Sequence, residues 1–288
     1  MQVVEPLVGT RAEIEASADD PSVVGAVEAA TLSEVGRLEA IFSVFQPDSA
    51  IHQLRGSGHT TVAELEAVVD LALDWHRRTD GAFHPSLQPL IDIWREAEAT
   101  QTMPADRLLA EVVAQLRSPS LATLDLNALG KGWIGQRAVE VGLAAAATEG
   151  REVDGVWLSL GGDIVHRGHG AMTVGVEDPH RPYDNVAPML TVELRNEAMA
   201  TSGAARRWWT IGGTRYAKVL DPRTGWPVDH VASATVIAAD AADADALATA
   251  ALVLDPDQTI ELAGAEGGEV LLVLADRSRV ASGRLRPG

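Results

Sequence analysis

Two oxygen-bearing side chains stand four residues apart in the segment Asp245-Ala-Leu-Ala-Thr249. In a helix, residues at this spacing share one face, so this carboxylate and this hydroxyl can point at a single cation. A small number of oxygen ligands, with room left for water and a substrate phosphate, suits Mg²⁺. The same residues also fit a helix start in which Asp243 and Asp245 cap backbone N–H groups and Thr249 bonds back to a carbonyl. Taken alone, the segment favours this second interpretation.

A second polar cluster lies in the segment Asp125-Leu-Asn-Ala-Leu-Gly-Lys-Gly-Trp133. Its pattern predicts a strand end, a turn of small residues and a helix start. This geometry presents free N–H groups and the positive end of a helix dipole to an anion, and Lys131 adds a point charge. The G-x-x-x-x-G-K-[ST] spacing of a Walker loop is absent. A glycine-rich helix entry with a solvated lysine explains the same pattern and is the more common meaning of an isolated G-K-G.

Three shorter motifs could line a ligand site or simply form turns. The paired glycines of Leu160-Gly-Gly-Asp-Ile164 permit a tight turn or a close approach of the backbone to a ligand. In Asp221-Pro-Arg-Thr-Gly225, Pro and Gly fix a turn from which Asp, Arg and Thr present polar groups. The hydroxyls of Ala200-Thr-Ser-Gly203, with Thr201 among them, could bind a phosphate or serve only as turn residues.

Several other reaction classes find no support in the sequence. The eight histidines show no H-x-x-x-H or H-E-x-x-H spacing, which argues against zinc-dependent hydrolysis. The G-x-S-x-G and G-x-G-x-x-G motifs are also absent. The chain contains no cysteine, so disulfides, Cys-ligated zinc and a thiol nucleophile are excluded.

The elements that must hold these residues are partly segregated along the chain. Predicted helices cover residues 24–42, 61–78, pieces of 86–118, 133–147 and 243–254, the second of them opened by a capping box of Thr61 and Glu64. Predicted strands cover residues 7–17, 121–126, 156–160, 172–177, 189–195, 215–220, 233–239 and 270–274. This segregation indicates an α+β fold, and since no clean linker divides the chain, we expect residues 1–288 to form a single domain of two packed lobes.

The net charge of −18 limits the partners of this chain. A surface this acidic repels phosphate backbones, and we therefore expect no nucleic-acid partner. An anionic ligand would need a cation or a few basic groups at its binding site. Glu5 and Glu13 interrupt the apolar residues of the N-terminus, which has the pattern of neither a signal peptide nor a membrane span. The expectation is therefore a cytoplasmic protein without a membrane span. The sequence leaves its oligomeric state open.

The order of the motifs is more specific than any one of them. The five segments above occur with three others, namely Val8-Gly-Thr10, the stretch from Phe42 to Ser49, and Thr79-Asp-Gly-Ala-Phe83 continuing through Trp94. This series of eight resembles the ApbE family of FAD:protein FMN transferases, with a core of about residues 7–275.

The resemblance implies an α+β domain of two packed lobes with FAD in a cleft between them. It also implies a Mg²⁺-dependent reaction that splits the FAD pyrophosphate, releases AMP and joins FMN through a phosphoester to a Thr or Ser of an acceptor flavoprotein. The implied metal ligands are the side chains of Asp245 and Thr249 and the carbonyl of Ala128. Asp245 and Lys218 are the implied catalytic residues.

The implied FAD-binding residues come from several of these motifs. They are Val8, Phe45, Ala82, Phe83, His84, Asp125 and Lys218, together with Lys131 for its charge and Thr201 for its hydroxyl. Of these, Phe45 could stack on an aromatic ring system.

The chain departs from the family pattern at several positions. Lys218 stands where the family has the histidine of H-x-x-D-P-R-T-G, and a lysine is a hydrated cation, whereas a histidine can accept a proton near neutral pH. Other departures are Val8 for Met, Phe45 for Tyr, His84-Pro-Ser86 for D-P-T, and Gln136 for Asp. Two alternatives to transfer therefore stay open: an FAD pyrophosphatase that uses water, and an FAD-binding flavoprotein without transfer activity.

Overall fold

The computed structural model describes residues 2–7, 9–148, 150–181, 186–204 and 207–286. Its strands are β1 (Gln2–Leu7), β2 (Thr10–Ser17), β3 (Gly155–Leu160), β4 (Asp163–Gly168), β5 (Met172–Val176), β6 (Leu190–Leu194), β7 (Ala198–Gly203), β8 (Trp208–Ile211), β9 (Thr214–Ala217), β10 (Val231–Ala238), β11 (Glu269–Leu274) and β12 (Arg279–Ala281). Its α-helices are α1 (Pro21–Phe42), α2 (Ala50–Ser57), α3 (Ala63–Arg78), α4 (Gln88–Thr100), α5 (Asp106–Gln115), α6 (Gly130–Thr148), α7 (Ala241–Ala251) and α8 (Pro256–Ala265). Most helices precede most strands, which confirms the predicted α+β class.

An antiparallel sheet of eight strands forms the centre of the described residues, in the order β1-β2-β3-β4-β7-β10-β11-β12. Strand β10 is buried along its whole length, and its side chains alternate between two apolar layers. Val236 belongs to the large core that the sheet forms with α1, α6 and α7, whereas Ile237 packs with the β5–β6 hairpin on the opposite face. The sheet is thus covered on both faces, which explains why β10 is almost entirely apolar.

A third apolar core holds α4 and α5 against the β8–β9 hairpin. At its centre the ring of Trp94 stacks on Trp209, with 5.7 Å between the ring centroids. Trp94 is fully buried, and its indole N–H donates to the carbonyl of Gly225, 2.8 Å away. The hairpin and the turn that follows it are therefore fixed to α4 by aromatic packing and a buried hydrogen bond. The cleft expected between two lobes stays a prediction.

The N-terminal half differs from the sequence prediction at two places. The strand predicted over residues 7–17 corresponds to β2, but the strand β1, which pairs with it across a turn at Gly9 with φ +66°, was not predicted. The predicted capping box is wrong, since α3 begins at Ala63 after Val62 and has no side-chain cap. The carboxylate of Glu64 instead pairs with Arg37 of α1 at 2.9 Å. A tertiary ion pair has replaced the local contact.

The predicted strand over residues 121–126 is also wrong. Residues Leu121–Thr123 form a 3₁₀ turn, and the extended residues after it have no strand neighbour. Their backbone groups are satisfied otherwise: the guanidinium of Arg55 donates to the carbonyl of Leu124 at 2.7 Å, and the N–H of Asp125 donates to the carbonyl of Pro85 at 2.6 Å. Elements that lie outside the predicted helices and strands are β1, α2, α8, β4, β7, β8 and β12.

Among the helices of the described ranges, none combines the length and the apolar composition that crossing a bilayer requires.

Candidate active site

The first turns of α6 and α7 meet at a junction made possible by a glycine. A Cβ at Gly132 would overlap the backbone carbonyl of Ala241, so only glycine lets the two helix starts approach this closely. Asp240 caps α7 by accepting hydrogen bonds from the N–H groups of Ala242 and Asp243, and Asp243 itself accepts from the indole N–H of Trp75. Asp245 therefore does not cap its own helix. The capping interpretation of the sequence does not apply to it.

Asp245 is buried and points at the start of α6. Its Oδ2 accepts from the N–H of Gly132 at 3.3 Å and lies 3.2 Å from Nζ of Lys131. One turn further along α7, the hydroxyl of Thr249 donates to the carbonyl of Ala128 at 3.3 Å and lies 3.2 Å from the hydroxyl of Ser202. The structure thus brings together Ala128, Asp245 and Thr249, the three residues expected as metal ligands.

Asp163 is the third charged residue of the junction, beside Lys131 and Asp245, and was not among the site residues expected from the sequence. It begins β4, directly after the turn of Gly161 and Gly162, whose φ angles are +63° and +98°. Its Oδ2 lies 2.5 Å from Nζ of Lys131, and its Oδ1 accepts from the N–H of Thr201 at 3.2 Å. In the sequence, the paired glycines predict a turn that could approach a ligand. The position of Asp immediately after them was the available signal for this carboxylate.

The charges of the junction are strongly coupled. Burial, reinforced by the neighbouring carboxylate of Asp245, raises the pKa of Asp163 to about 6 against the opposing attraction of Lys131. Burial alone would lower the pKa of Lys131, but the two carboxylates outweigh it and raise that pKa above its usual range. When all three groups are ionised, one ammonium stands against two carboxylates. The junction therefore attracts a further cation.

These donors fit a small, hard cation. Mg²⁺ prefers oxygen ligands and commonly uses only one or two carboxylates beside water and substrate phosphate. The junction offers a carboxylate, a hydroxyl and a backbone carbonyl, and the ammonium of Lys131 already stands between the carboxylates as a cation. Among the described residues, no group of three His, Asp or Glu side chains could hold a metal instead. A cation site here depends on the Thr249 hydroxyl and the Ala128 carbonyl.

Lys218 lies away from these contacts, on the exposed surface just after β9. Its N–H donates to the carbonyl of Arg207 at 3.0 Å, and its Nζ stands 5.7 Å from the ring centroid of Trp209. Close by, the guanidinium of Arg215 lies 4.3 Å from the ring centroid of Trp208. The hairpin thus presents basic and aromatic side chains to solvent.

The Asp221–Gly225 motif forms a structural turn. Asp221 accepts two hydrogen bonds from the guanidinium of Arg223, each of 3.0 Å, and Arg223 also donates to the carbonyl of Val253. Gly225 has φ +77°, and a Cβ there would lie 3.2–3.4 Å from Val113 and neighbouring side chains of the third apolar core. The polar groups of this motif are engaged with the protein itself.

The other residues expected to bind FAD fall into two sets. Ala82, Phe83 and His84 are buried, and the ring of His84 bonds to the carbonyl of Leu116 at 2.8 Å, with burial lowering its pKa to about 4. Phe45 is 86% exposed. Thr201 is exposed as a residue, although its hydroxyl lies 2.9 Å from that of Thr235.

Asp125 and Val8 are two further residues of the expected FAD-binding set. Asp125 is half-buried, and its carboxylate accepts from the N–H of Asn127 at 2.8 Å, which closes the turn before α6. Val8 lies outside the described residues. For every residue of the expected set, direct contact with FAD stays a prediction.

The sequence of this chain is similar to a known protein family and to several of its members. The model of the ApbE family matches residues 8–272. The FAD:protein FMN transferase of Treponema pallidum (strain Nichols) is 28% identical, over 96% of this chain and 85% of the relative. The FAD:protein FMN transferase of Escherichia coli (strain K12) is 25% identical, over 82% of this chain and 73% of the relative.

Solved structures share the fold. The ApbE protein of Thermotoga maritima superposes with a TM-score of 0.79 at 23% identity, covering 96% of each chain. The apo form of the Pseudomonas stutzeri flavinyl transferase ApbE superposes with a TM-score of 0.74 at 20% identity, covering 98% of this chain and 94% of that one.

Proposed function

This chain belongs to the ApbE family, and we propose that it is a Mg²⁺-dependent FAD:protein FMN transferase. Its substrate is FAD, its acceptor is the hydroxyl of a Thr or Ser in another protein, and its second product is AMP. The observation that carries the proposal is the meeting of Ala128, Asp245 and Thr249 at the start of α6, beside Lys131. We further propose that residues 1–288 act as one domain.

The reaction replaces a phosphoanhydride bond of FAD with a phosphoester bond to the acceptor. The acceptor hydroxyl oxygen forms a bond to the phosphorus on the FMN side of the pyrophosphate, the bond from that phosphorus to the bridging oxygen breaks, and AMP leaves with that oxygen. The proton of the acceptor hydroxyl passes to solvent. Such transfers depend on positioning and on neutralising the charge of the phosphate oxygens. Mg²⁺, when bound, would supply part of that neutralisation.

The junction residues have defined tasks in this proposal. Asp245 and Thr249 present oxygens from one face of α7, and the start of α6 presents the positive end of its dipole together with Lys131. These features offset the net charge of −18 where an anion has to bind. The exposed ring of Phe45 is available for stacking, and Lys218 contributes a positive charge where relatives have a histidine.

A direct test combines the protein with FAD, Mg²⁺ and an acceptor domain that carries a target Thr. The expected result is an acceptor mass increased by one FMN less one water, with one AMP released per modified acceptor. The acceptor in which that Thr is replaced by Val serves as the control, and a chelator should stop the reaction. Bound FAD with no mass increase on acceptors that a relative modifies would overturn the proposal.

Hydrolysis is the second candidate, because a junction that neutralises the charge of the phosphate oxygens would serve water as well as an acceptor hydroxyl. Water would then attack the same phosphorus, and FMN and AMP would leave together. AMP formed from FAD at the same rate with and without acceptor supports this candidate. A rate that depends on the acceptor rules it out.

A further inference from the structure

Lys131 holds one ammonium between two buried carboxylates. Its Nζ lies 2.5 Å from Oδ2 of Asp163 and 3.2 Å from Oδ2 of Asp245, and these two residues are only 7% and 2% exposed. The Asp163 contact is an ion pair without a well-aligned hydrogen bond, since Asp163 Oδ2 has no hydrogen-bond partner. The ammonium is therefore shared between two carboxylates: it donates to both oxygens of Asp245, at 3.4 and 3.2 Å, and is in ion-pair contact with Asp163.

We propose that Lys131 is an internal cation that competes with the divalent metal for Asp245, and that Asp163 is the positioning residue that retains Lys131 when the metal binds. The inference rests on the proposed function only in taking Asp245 as a metal ligand. It gives Asp163 a role that is separate from ligating the metal.

An unpaired charge inside a protein is costly in free energy. A carboxylate as buried as Asp245 is expensive to keep ionised without a partner, and Lys131 supplies that partner when no metal is bound. A divalent cation at the same carboxylate would stand within a few ångströms of the ammonium and repel it. Asp163 already contacts that ammonium at 2.5 Å, so Lys131 can leave Asp245 without losing its countercharge.

Two consequences follow for binding. The metal alone should bind weakly, because it must displace an ammonium that is already in place. An anionic phosphate near the start of α6 would attract the displaced Lys131, so metal and phosphate should each favour the binding of the other.

The test measures Mn²⁺ binding to the full chain without flavin, through the electron paramagnetic resonance signal of the free ion. In Lys131→Met the dissociation constant should fall about tenfold, which is the effect expected from removing one charge within about 4–6 Å. Arg137→Met is the matched control, because it removes a positive charge from the same helix at an exposed pair with Glu140. It should change the constant by less than about twofold. If Lys131→Met does not unfold cooperatively, Lys131→Gln replaces it.

Asp163→Asn tests the positioning role. With Asp245 as the sole remaining countercharge of Lys131, the dissociation constant for Mn²⁺ should rise about tenfold. In the Lys131→Met background the same change should have a much smaller effect, because there is no ammonium left to retain. An equal loss in both backgrounds would mean that Asp163 ligates the metal directly, and this would overturn the positioning role.

Asp245→Asn separates a failure of this inference from a failure of the proposed function. If Asp245→Asn leaves Mn²⁺ binding unchanged, the metal site itself is wrong, and the proposed function loses its main support. If Asp245→Asn abolishes binding while Lys131→Met leaves it unchanged, only the competition is refuted.

Discussion

The α6–α7 junction and the β8–β9 hairpin present charge in opposite ways. At the junction, Lys131, Asp163 and Asp245 are paired with one another and shielded by packed helices. At the hairpin, Lys218 is exposed and Arg215 covers the face of a half-exposed tryptophan. The junction is thus complete before any ligand arrives, whereas the hairpin presents groups that a ligand or partner would have to organise. Substitutions at the junction should affect folding and function together, and those at exposed positions should affect function alone.

Asp245→Asn should have the largest effect on the buried side of this comparison. Loss of this carboxylate should remove a proposed ligand of Mg²⁺, and with it charge neutralisation at the phosphate. Since that neutralisation is the main catalytic contribution available here, the rate of FMN transfer should fall by at least about 100-fold. The mass-shift assay measures this rate. Asp257→Asn, an exposed carboxylate in the first turn of α8, is the control and should keep full activity. Comparable transfer by both variants would show that the junction is not the reacting site.

Gly132→Ala should show that the junction depends on a close helix contact. The added Cβ would overlap the carbonyl of Ala241, so the free energy of unfolding should fall by about 1–3 kcal/mol, as is typical of overpacking. Urea unfolding measures this. Gly36→Ala in α1 is the matched control, because a Cβ there meets no atom within 4 Å, and it should raise stability by up to about 1 kcal/mol. Equal stability of the two variants would contradict the close contact.

The buried His84 should make the free energy of unfolding depend on pH. Burial lowers its pKa to about 4, so between about pH 6.5 and that value the unfolded chain binds a proton that the folded chain does not. This contribution to stability is complete above about pH 6.5 and is lost as the pH falls, by about 1–3 kcal/mol in total.

Urea unfolding across this range measures the effect, with His84→Gln for comparison, because glutamine does not titrate. The variant should lose less stability than the wild-type chain over the same interval. Parallel pH profiles would contradict the prediction.

Lys218→His, at the exposed hairpin, should change the rate of transfer without affecting folding. A histidine can accept the proton of the acceptor hydroxyl, so we expect the transfer rate constant to rise about tenfold, at the low end of what general bases supply. Lys218→Arg retains the charge without a proton acceptor and should give no increase. An unchanged rate in Lys218→His would mean that proton removal at this position does not limit the reaction.

Phe45→Ala should have the smallest effect. Since Phe45 is 86% exposed, stability should change by less than about 0.5 kcal/mol. Loss of ring stacking should weaken FAD binding by about two- to tenfold, which flavin fluorescence can measure. Leu108→Ala, another exposed apolar residue at 43% exposure, should leave FAD affinity unchanged. Equal FAD affinity in Phe45→Ala and the wild-type chain would remove Phe45 from the binding site.

The sequence predicted best what depends on local pattern. Spacing along α7 placed Asp245 and Thr249 on one face, and the long apolar runs gave β3, β10 and β11. Short strands such as β8 were missed because their stability comes from packing against α4, and four residues carry little periodic signal. The capping box at Thr61 failed for the same reason, since Glu64 found a distant partner in Arg37.

The candidate site shows the same limit. The contact of Asp163 with Lys131 joins residues on β4 and α6, and no spacing in the sequence predicts it. The sequence identified both segments as places where a ligand could approach, but the ion pair exists only because the sheet and the helix meet. Contacts between elements are set by tertiary packing, and the local pattern of a sequence does not specify them.

The glycines of α6 have a consequence for mutational tolerance. Besides Gly132, Gly142 lies against Thr31 of α1 so closely that a Cβ would overlap its hydroxyl, and a Cβ at Gly135 would lie 3.2 Å from Val165. In a library of random substitutions sorted only for soluble expression, positions 132 and 142 should therefore reject larger residues. A library sorted for transfer should reject changes at Asp245 as strictly. Depletion in a screen would then mark folding and reacting residues alike, and only a comparison of the two selections would separate them.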